Sequence, residues 1–310
     1  TSRWGGARLT EHGPGRWGRR RRVADSPAPL DSPGSPALRW PASLTLVRHG
    51  QSTGNVADAR ARAARAEVVD VGERDADVPL SDLGRRQAAA VGAWLAGGAG
   101  APPAPQVVLS SPYERALRTA QEVVRAARAA GLEVPDVRTD ERLRERDLGW
   151  WDGLTGAGVR ARFPEESERR ARLGKFYYRP PGGESWCDVA LRVRSVLASL
   201  REEHAGRHVL LVSHQAVVMN FRLVLEGLDE RAVLDLDDRD PLANCSVTSY
   251  ERDGAAMRLR LAGDARAVAD VRVAGGPGGD SRDAPGEDGA DDAAHDPGDG
   301  ARAGTARVAR

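Results

Sequence analysis

An apolar run that ends in Arg-His-Gly constrains this chain more than any other feature: Leu46-Val47-Arg48-His49-Gly50-Gln51-Ser52-Thr53-Gly54-Asn55. The apolar and β-branched residues from 43 to 47 predict a buried strand, and open α/β sheets collect their ligands at the C-terminal ends of such strands. Arg48 carries a planar fork matched to phosphate oxygens, and His49 carries an imidazole able to attack phosphorus. Gly50 is expected to let the backbone turn beside a bound anion, and Gly54-Asn55 to add a second flexible point with an amide donor. Taken alone, such a triplet is more often a hydrogen-bonded structural histidine than a nucleophile, so its weight rests on what accompanies it.

Four further segments carry matching chemistry. Val107-Val108-Leu109-Ser110-Ser111-Pro112-Tyr113-Glu114-Arg115 is a second apolar strand leading into a helix, with Arg115 in the first turn. A cation there joins the helix amides in attracting an anion. Leu143-Arg144-Glu145-Arg146-Asp147-Leu148-Gly149-Trp150-Trp151 sets a carboxyl among cations and aromatic rings. Val209-Leu210-Leu211-Val212-Ser213-His214-Gln215 is another β-rich run ending in a histidine, and Pro180-Pro181-Gly182-Gly183-Glu184-Ser185 reads as a turn before a helix. Two strand-terminal histidines, two strand-proximal arginines and a glutamate form a set suited to phosphoryl transfer. Arg118, Asp147 and Asp152 read as surface or structural residues, and Trp150 and Trp151 as packing.

On these motifs the chain resembles the histidine phosphatase superfamily, the phosphoglycerate mutase-like group, over residues 44 to 261. The resemblance implies that His49 is a nucleophile that becomes phosphorylated, that Arg48, Asn55, Arg115 and His214 hold the phosphoryl oxygens, and that Glu145 protonates the leaving group. It implies no cofactor. The chemistry is consistent with that assignment. A neutral imidazole among guanidinium groups is a good nucleophile toward a dianionic ester, and fixed cationic donors stabilise the equatorial oxygens without a metal. Glu145 must carry a proton when the alkoxide departs, then accept one from water. Cys187 and Cys245 show no metal-ligand spacing and read as reduced thiols.

Strand and helix signals alternate along the middle of the chain. Helices are expected from Ser81 to about Leu95, with Leu83, Val91 and Leu95 as a stripe, at 113–130, from Phe163, at 185–203 with Val189, Val193, Val196 and Leu200 on one face, and at 217–225. Strands are expected at 107–109, near 137, at 209–212, and at 246–250 and 257–261 around an Asp253-Gly254 turn. Residues 60–77 read as a helical or irregular excursion over the site. The alternation implies an α/β fold, a three-layer αβα sandwich with a mostly parallel central sheet, as in the phosphoglycerate mutase-like proteins.

Composition bounds the rest. Residues 1–40, with the run Arg19-Arg20-Arg21-Arg22, and residues 266–310, rich in Gly, Asp, Ala and Pro, lack apolar periodicity and are expected to be disordered, leaving a phosphatase domain at 41–265. With 46 basic and 45 acidic residues the chain carries no nucleic-acid signature. No apolar stretch follows the arginines, so no export signal and no membrane partner are expected, and a cytoplasmic location is the default. The expected partner is a small-molecule phosphate ester; the sequence leaves the oligomeric state open.

Within the superfamily the motifs resemble most the bisphosphatase half of the bifunctional fructose-2,6-bisphosphate enzymes, through Phe163-Pro164-Glu165-Glu166, the stretch from Lys175 to Ser185, and His214-Gln215-Ala216-Val217. No Gly-x-x-x-x-Gly-Lys-Ser/Thr loop of a kinase half is present. The resemblance implies that Gln215, Lys175, Arg170 and Trp186 contact substrate, Gln215 on the phosphate side. It breaks where the family has a sugar-binding tyrosine and a phosphate-gripping arginine: Gly156 and Met219 stand at those spacings. Arg222 is a candidate replacement contact. The expected function is therefore a metal-independent phosphomonoesterase for a small metabolite, with mutase activity, fructose-2,6-bisphosphatase-like activity and a non-catalytic phospho-ligand or protein-binding module as alternatives.

Overall fold

The structure, a computed structural model, describes residues 40–271. Strand β1 (Ser43–Arg48) is followed by helices α1 (Thr53–Ala63) and α2 (Asp82–Leu95), strand β2 (Val107–Ser110), helix α3 (Glu114–Ala129) and strand β3 (Val137–Thr139). Helices α4 (Gly156–Arg162), α5 (Pro164–Leu173) and α6 (Trp186–Glu203) precede strand β4 (His208–Ser213), helices α7 (Gln215–Glu226) and α8 (Glu230–Arg239), and strands β5 (Val247–Asp253) and β6 (Ala256–Asp264). The six strands form one sheet in the order β3-β2-β4-β1-β5-β6. The first four in that order run parallel, β5 is antiparallel to β1, and β6 to β5.

The period-2 alternation of each central strand divides its side chains between two cores. Leu44 and Leu46 of β1, Val107 and Leu109 of β2, and Val209 and Leu211 of β4 face one side, where they meet Val189, Val193, Val196 and Leu200 of α6 and Val217, Val218 and Phe221 of α7. Val47, Val108, Leu210 and Val212 face the other, against Ala88, Val91 and Leu95 of α2 and Ala116, Ala120, Val123 and Val124 of α3. Strands buried on both faces read as unbroken apolar runs, and this is why the three parallel strand signals were visible. The mostly parallel α/β sandwich follows from that burial.

Several elements differ from expectation. Gly54 and Asn55 are not a flexible point: they lie in the first turn of α1, where Ser52 and Asn55 form a reciprocal capping box. The excursion after α1 is irregular from residue 66 to 80 apart from a short 3-10 turn at Asp75–Asp77. Helices α1, α4 and α8 are not among those expected from the sequence. The basic arm through residue 39 and the tail from 272 lie outside the described residues. Trp40, which the expected arm includes, donates from its indole nitrogen to the Ala255 carbonyl at 2.8 Å. The turn Arg266–Val268, past the expected boundary at 265, buries Val268 against α2 and α3.

Candidate active site

The register of the sheet builds the centre of the site. Arg48 of β1 is paired with Ser213 of β4, so the next residue of each strand, His49 and His214, emerges at the C-terminal edge of the sheet side by side. Both are fully buried, with ring centroids 5.1 Å apart. His49 Nδ1 lies 2.7 Å from the Gly50 carbonyl oxygen. A carbonyl can only accept, so Nδ1 holds the proton and the lone pair of the neutral ring is on Nε2. His214 Nε2 lies 2.8 Å from the Ser111 hydroxyl at the end of β2, and its Nδ1 is 4.0 Å from Glu145 Oε2.

Gly50 turns out to matter for a close approach rather than for a backbone angle. A Cβ on Gly50 would sit 2.6 Å from the Gly84 carbonyl oxygen of α2, and one on Gly84 would sit 2.1 Å from the Gln51 carbonyl oxygen. The pair of glycines lets the N-terminal turn of α2 rest directly on the chain beside His49. The Gly50 amide donates to the Thr119 hydroxyl, which donates in turn to the Arg115 carbonyl, tying this turn to α3.

Asn55 and Arg115 are linked to the histidines through neighbours: the Asn244 amide reaches both Asn55 and the His49 carbonyl, and the Tyr113 ring beneath Arg115 lies 5.4 Å from the His214 ring. Arg48 is fully buried and donates to the Leu242 carbonyl. Asn55 accepts at its side-chain oxygen from the Ser52 amide at 3.0 Å and the Asn244 amide nitrogen at 3.2 Å, which turns its own NH2 group toward donation. Arg115, 2% exposed, sits over the Tyr113 ring and pairs through NH1 with Asp75 Oδ1 at 2.9 Å. Asn55, Tyr113, Arg115, Glu145 and Arg146 line a cavity of about 410 Å³. Carboxylates dominate its remaining polar wall: Asp58, Glu73, Asp75, Asp147 and Asp152. Burial, then the Asp75 carboxylate, push the Tyr113 hydroxyl up to about 12.

Glu145 is buried on the loop between β3 and α4, with Oε1 accepting from the Arg146 amide at 2.8 Å. That loop is held by the turn before α6. Glu184 pairs with Arg144 at 2.7 Å and with Arg192 at 3.0 Å, while its amide donates to the Asp147 carbonyl. Arg192 also donates to the Glu145 carbonyl. Trp151 packs in a stack with Tyr178, and Trp150 is exposed; neither lines the cavity.

The expected sugar-side residues assemble elsewhere. Gln215 donates to Asp237 Oδ1 at 2.8 Å, Lys175 binds Asp237 Oδ2 at 2.9 Å, and the Lys175 ammonium lies 5.3 Å from the Trp186 ring centre. These three residues and Arg170, which is buried on α5, do not line the 410 Å³ cavity. Met219 is in the core and Gly156 opens α4. Arg222 is committed to Glu226 at 2.9 Å, on which the Tyr250 hydroxyl also converges. Sequence reasoning missed Asn244, whose amide reaches both the His49 carbonyl and Asn55, and Asp75 on Arg115. Asn244 precedes Cys245, a non-glycine residue at φ +59°, and nothing in the sequence marks either position. Among the described residues, no three His, Cys, Asp or Glu side chains are grouped to hold a metal ion, and no helix is long and apolar enough to cross a membrane.

Comparison with known proteins places this geometry. A bifunctional protein of Mycobacterium tuberculosis is 37% identical over 235 residues, covering 73% of this chain and 56% of its own length, so the chain spans little more than half of that relative. A 6-phosphofructo-2-kinase/fructose-2,6-bisphosphatase of Caenorhabditis elegans is 32% identical over 228 residues, 71% of this chain and 42% of that one. Among solved structures, mycobacterial glucosyl-3-phosphoglycerate phosphatase in complex with inorganic phosphate superposes with a TM-score of 0.52 at 30% identity, over 71% of this chain and 95% of that one. The family model of the histidine phosphatase superfamily, branch 1, matches residues 44–265, and the chain belongs to that superfamily.

Proposed function

We propose that this chain is a metal-independent phosphomonoester hydrolase that works through a phosphohistidine on His49. The observation that carries the reading is the 2.7 Å contact of Nδ1 with the Gly50 carbonyl, which fixes the tautomer a nucleophilic Nε2 requires. Nε2 attacks phosphorus, the ester P–O bond breaks, and the departing oxygen takes the proton of the Glu145 carboxyl. Water then attacks the phosphohistidine, gives its proton to the Glu145 carboxylate, and releases inorganic phosphate and neutral imidazole. Arg48, Arg115, the Asn55 amide and His214 stabilise the phosphoryl oxygens throughout, in a buried setting where fixed donors act strongly. The alcohol leaves into the cavity, whose walls select it.

Purified protein assayed with p-nitrophenyl phosphate tests this. Turnover is expected in the presence of EDTA, and acid quenching-free isolation should yield a base-stable, acid-labile phosphoenzyme. His49→Ala is expected to retain no more than a few per cent of activity. Loss of turnover in EDTA with rescue by a divalent ion contradicts the metal-independent step, and net interconversion of phosphoglycerates faster than hydrolysis indicates a mutase. Phosphate binding without turnover of any ester indicates a binding module.

A further inference from the structure

The phosphate-side arginine of this site carries a carboxylate of its own. Arg115 NH1 lies 2.9 Å from Asp75 Oδ1 and donates to the Asp75 backbone carbonyl at 2.5 Å, with NH2 3.4 Å from Oδ2. Asp75 opens the 3-10 turn Asp75–Asp77 on the segment between α1 and α2, and that segment supplies Val69, Val71, Glu73 and Val78 to the cavity wall as well. It is fastened at both ends. The Val69 amide donates to the Gly153 carbonyl and the Thr155 amide to the Glu67 carbonyl at one end, and the Ser81 amide donates to the Gln51 carbonyl at the other. Asp75 is thus presented to Arg115 by an anchored backbone, and its charge is felt at the cavity floor, where it contributes to the raised Tyr113 hydroxyl.

We propose that Asp75 is a specificity-determining residue that shares Arg115 with the phosphoryl group and thereby limits the affinity of the site for phosphate. The inference rests on the phosphatase reading, since it assigns Arg115 to the phosphoryl oxygens. An anion on the same guanidinium meets both the cation and the Asp75 carboxylate, and the second offsets part of the first. A phosphatase gains from this, because its product, inorganic phosphate, would otherwise keep a site lined by two arginines and two histidines. Uniform binding of substrate and product phosphate lowers KM without raising kcat, and slow product release lowers kcat. The ester keeps its advantage over phosphate through the contacts of its alcohol with the cavity.

Asp75→Asn is the direct test, because the amide oxygen can still accept from Arg115 while the charge is gone. Calorimetric titration of wild type and variant with inorganic phosphate at low salt is expected to give a Kd lower in the variant, on the order of tenfold. With p-nitrophenyl phosphate the variant should show a lower KM and stronger inhibition by phosphate, without a rise in kcat. Asp77→Asn removes the same charge from the same turn, where Asp77 pairs with Arg74 rather than Arg115, and should leave the phosphate Kd at the wild-type value. Asp75→Ser serves as the second variant if the asparagine form does not fold. Equal or weaker phosphate binding in Asp75→Asn overturns the proposal and makes Asp75 a residue that merely orients Arg115. An equal tightening in Asp77→Asn overturns it too, since the effect would then be one of general charge. Tightened phosphate binding in a protein that hydrolyses no ester would instead retain the Asp75 effect and remove the phosphatase reading.

Discussion

In the proposed mechanism Glu145 holds a proton when the alkoxide leaves and takes one when water attacks, and its two oxygens stand in different settings. Oε1 is bound to the Arg146 amide, while Oε2 lies 4.0 Å from His214. An acid of this kind matters only for leaving groups that need a proton. Glu145→Gln is therefore expected to lower kcat by roughly 10² to 10⁴-fold on alkyl phosphates and far less on p-nitrophenyl phosphate, whose phenolate departs unprotonated. Steady-state kinetics on both esters check this, and an equal loss on the two would make Glu145 a structural residue. At this scale the positions of His49, Arg115 and His214, each at a strand end or helix start, are legible from the apolar pattern, whereas Asn55, on a helix that pattern does not mark, and Glu145, on a loop, are reached only through the family resemblance. What neither the pattern nor the resemblance marks arrives from distant chain. Asn244 reaches His49 across 195 positions and Asp75 reaches Arg115 across 40, and neither stands in a periodic segment.

Among the elements, α6 does the most to support the site from outside it. Its N-terminal turn abuts the Glu145 loop through Glu184, and its apolar face, Val189, Val193, Val196 and Leu200, anchors one side of the sheet. The helix begins with a capping box in which Ser185 and Asp188 satisfy each other's amides. Burial pushes the Asp188 carboxyl up, but hydrogen bonds from Arg179 and Ser185 outweigh it and hold the group below the usual carboxylate range. A carboxyl with a depressed folded-state value stabilises the protein fully above its unfolded value, and that stability is lost as pH falls through the folded one. Asp188→Asn should therefore cost about 0.5–2 kcal/mol at pH 7, the range for losing a cap, and progressively less as pH falls below about 4. Denaturant unfolding of both proteins at the two pH values measures it, and a gap that stays constant with pH would show that the charge plays no part. The helices that sequence reading identified, α2, α3, α5, α6 and α7, have capping residues, a proline start or a continuous apolar face. Helix α4, seven residues that include Gly156 and Gly158, is too short to show a period, and in α8 the inward-facing Val233 and Leu236 are interspersed with the carboxylates Glu230, Asp235, Asp237 and Asp238 that mask the stripe.

On the scale of the whole molecule, the sheet sets the chemistry and the loops set the substrate. Adjacent parallel strands fix the two histidines side by side, so the pairing proposed to handle the phosphoryl group is set by strand register. The alcohol end is different: Asp58, Glu73, Asp147 and Asp152 line the cavity beyond Arg115 and Arg146, and Asp75 already shares Arg115. A second phosphate on the substrate would have to lie among those carboxylates. The residues that resemblance offered for gripping it are committed elsewhere, Gln215 and Lys175 to Asp237, and Arg222 to Glu226. Gly156 and Met219 have no polar side chain to offer. Each missing charge-assisted contact or hydroxyl is worth on the order of 1–3 kcal/mol, so together their absence is expected to weaken binding of a sugar bisphosphate roughly a hundredfold or more. Fructose 2,6-bisphosphate is thus expected to show a kcat/KM no higher than that of simple monophosphate esters. Screening it beside sugar monophosphates, phosphoglycerates and nucleotides decides the matter. A kcat/KM for the bisphosphate well above all the others would mean that the Asp237 cluster opens to bind substrate and that the acidic cavity is not where the alcohol goes.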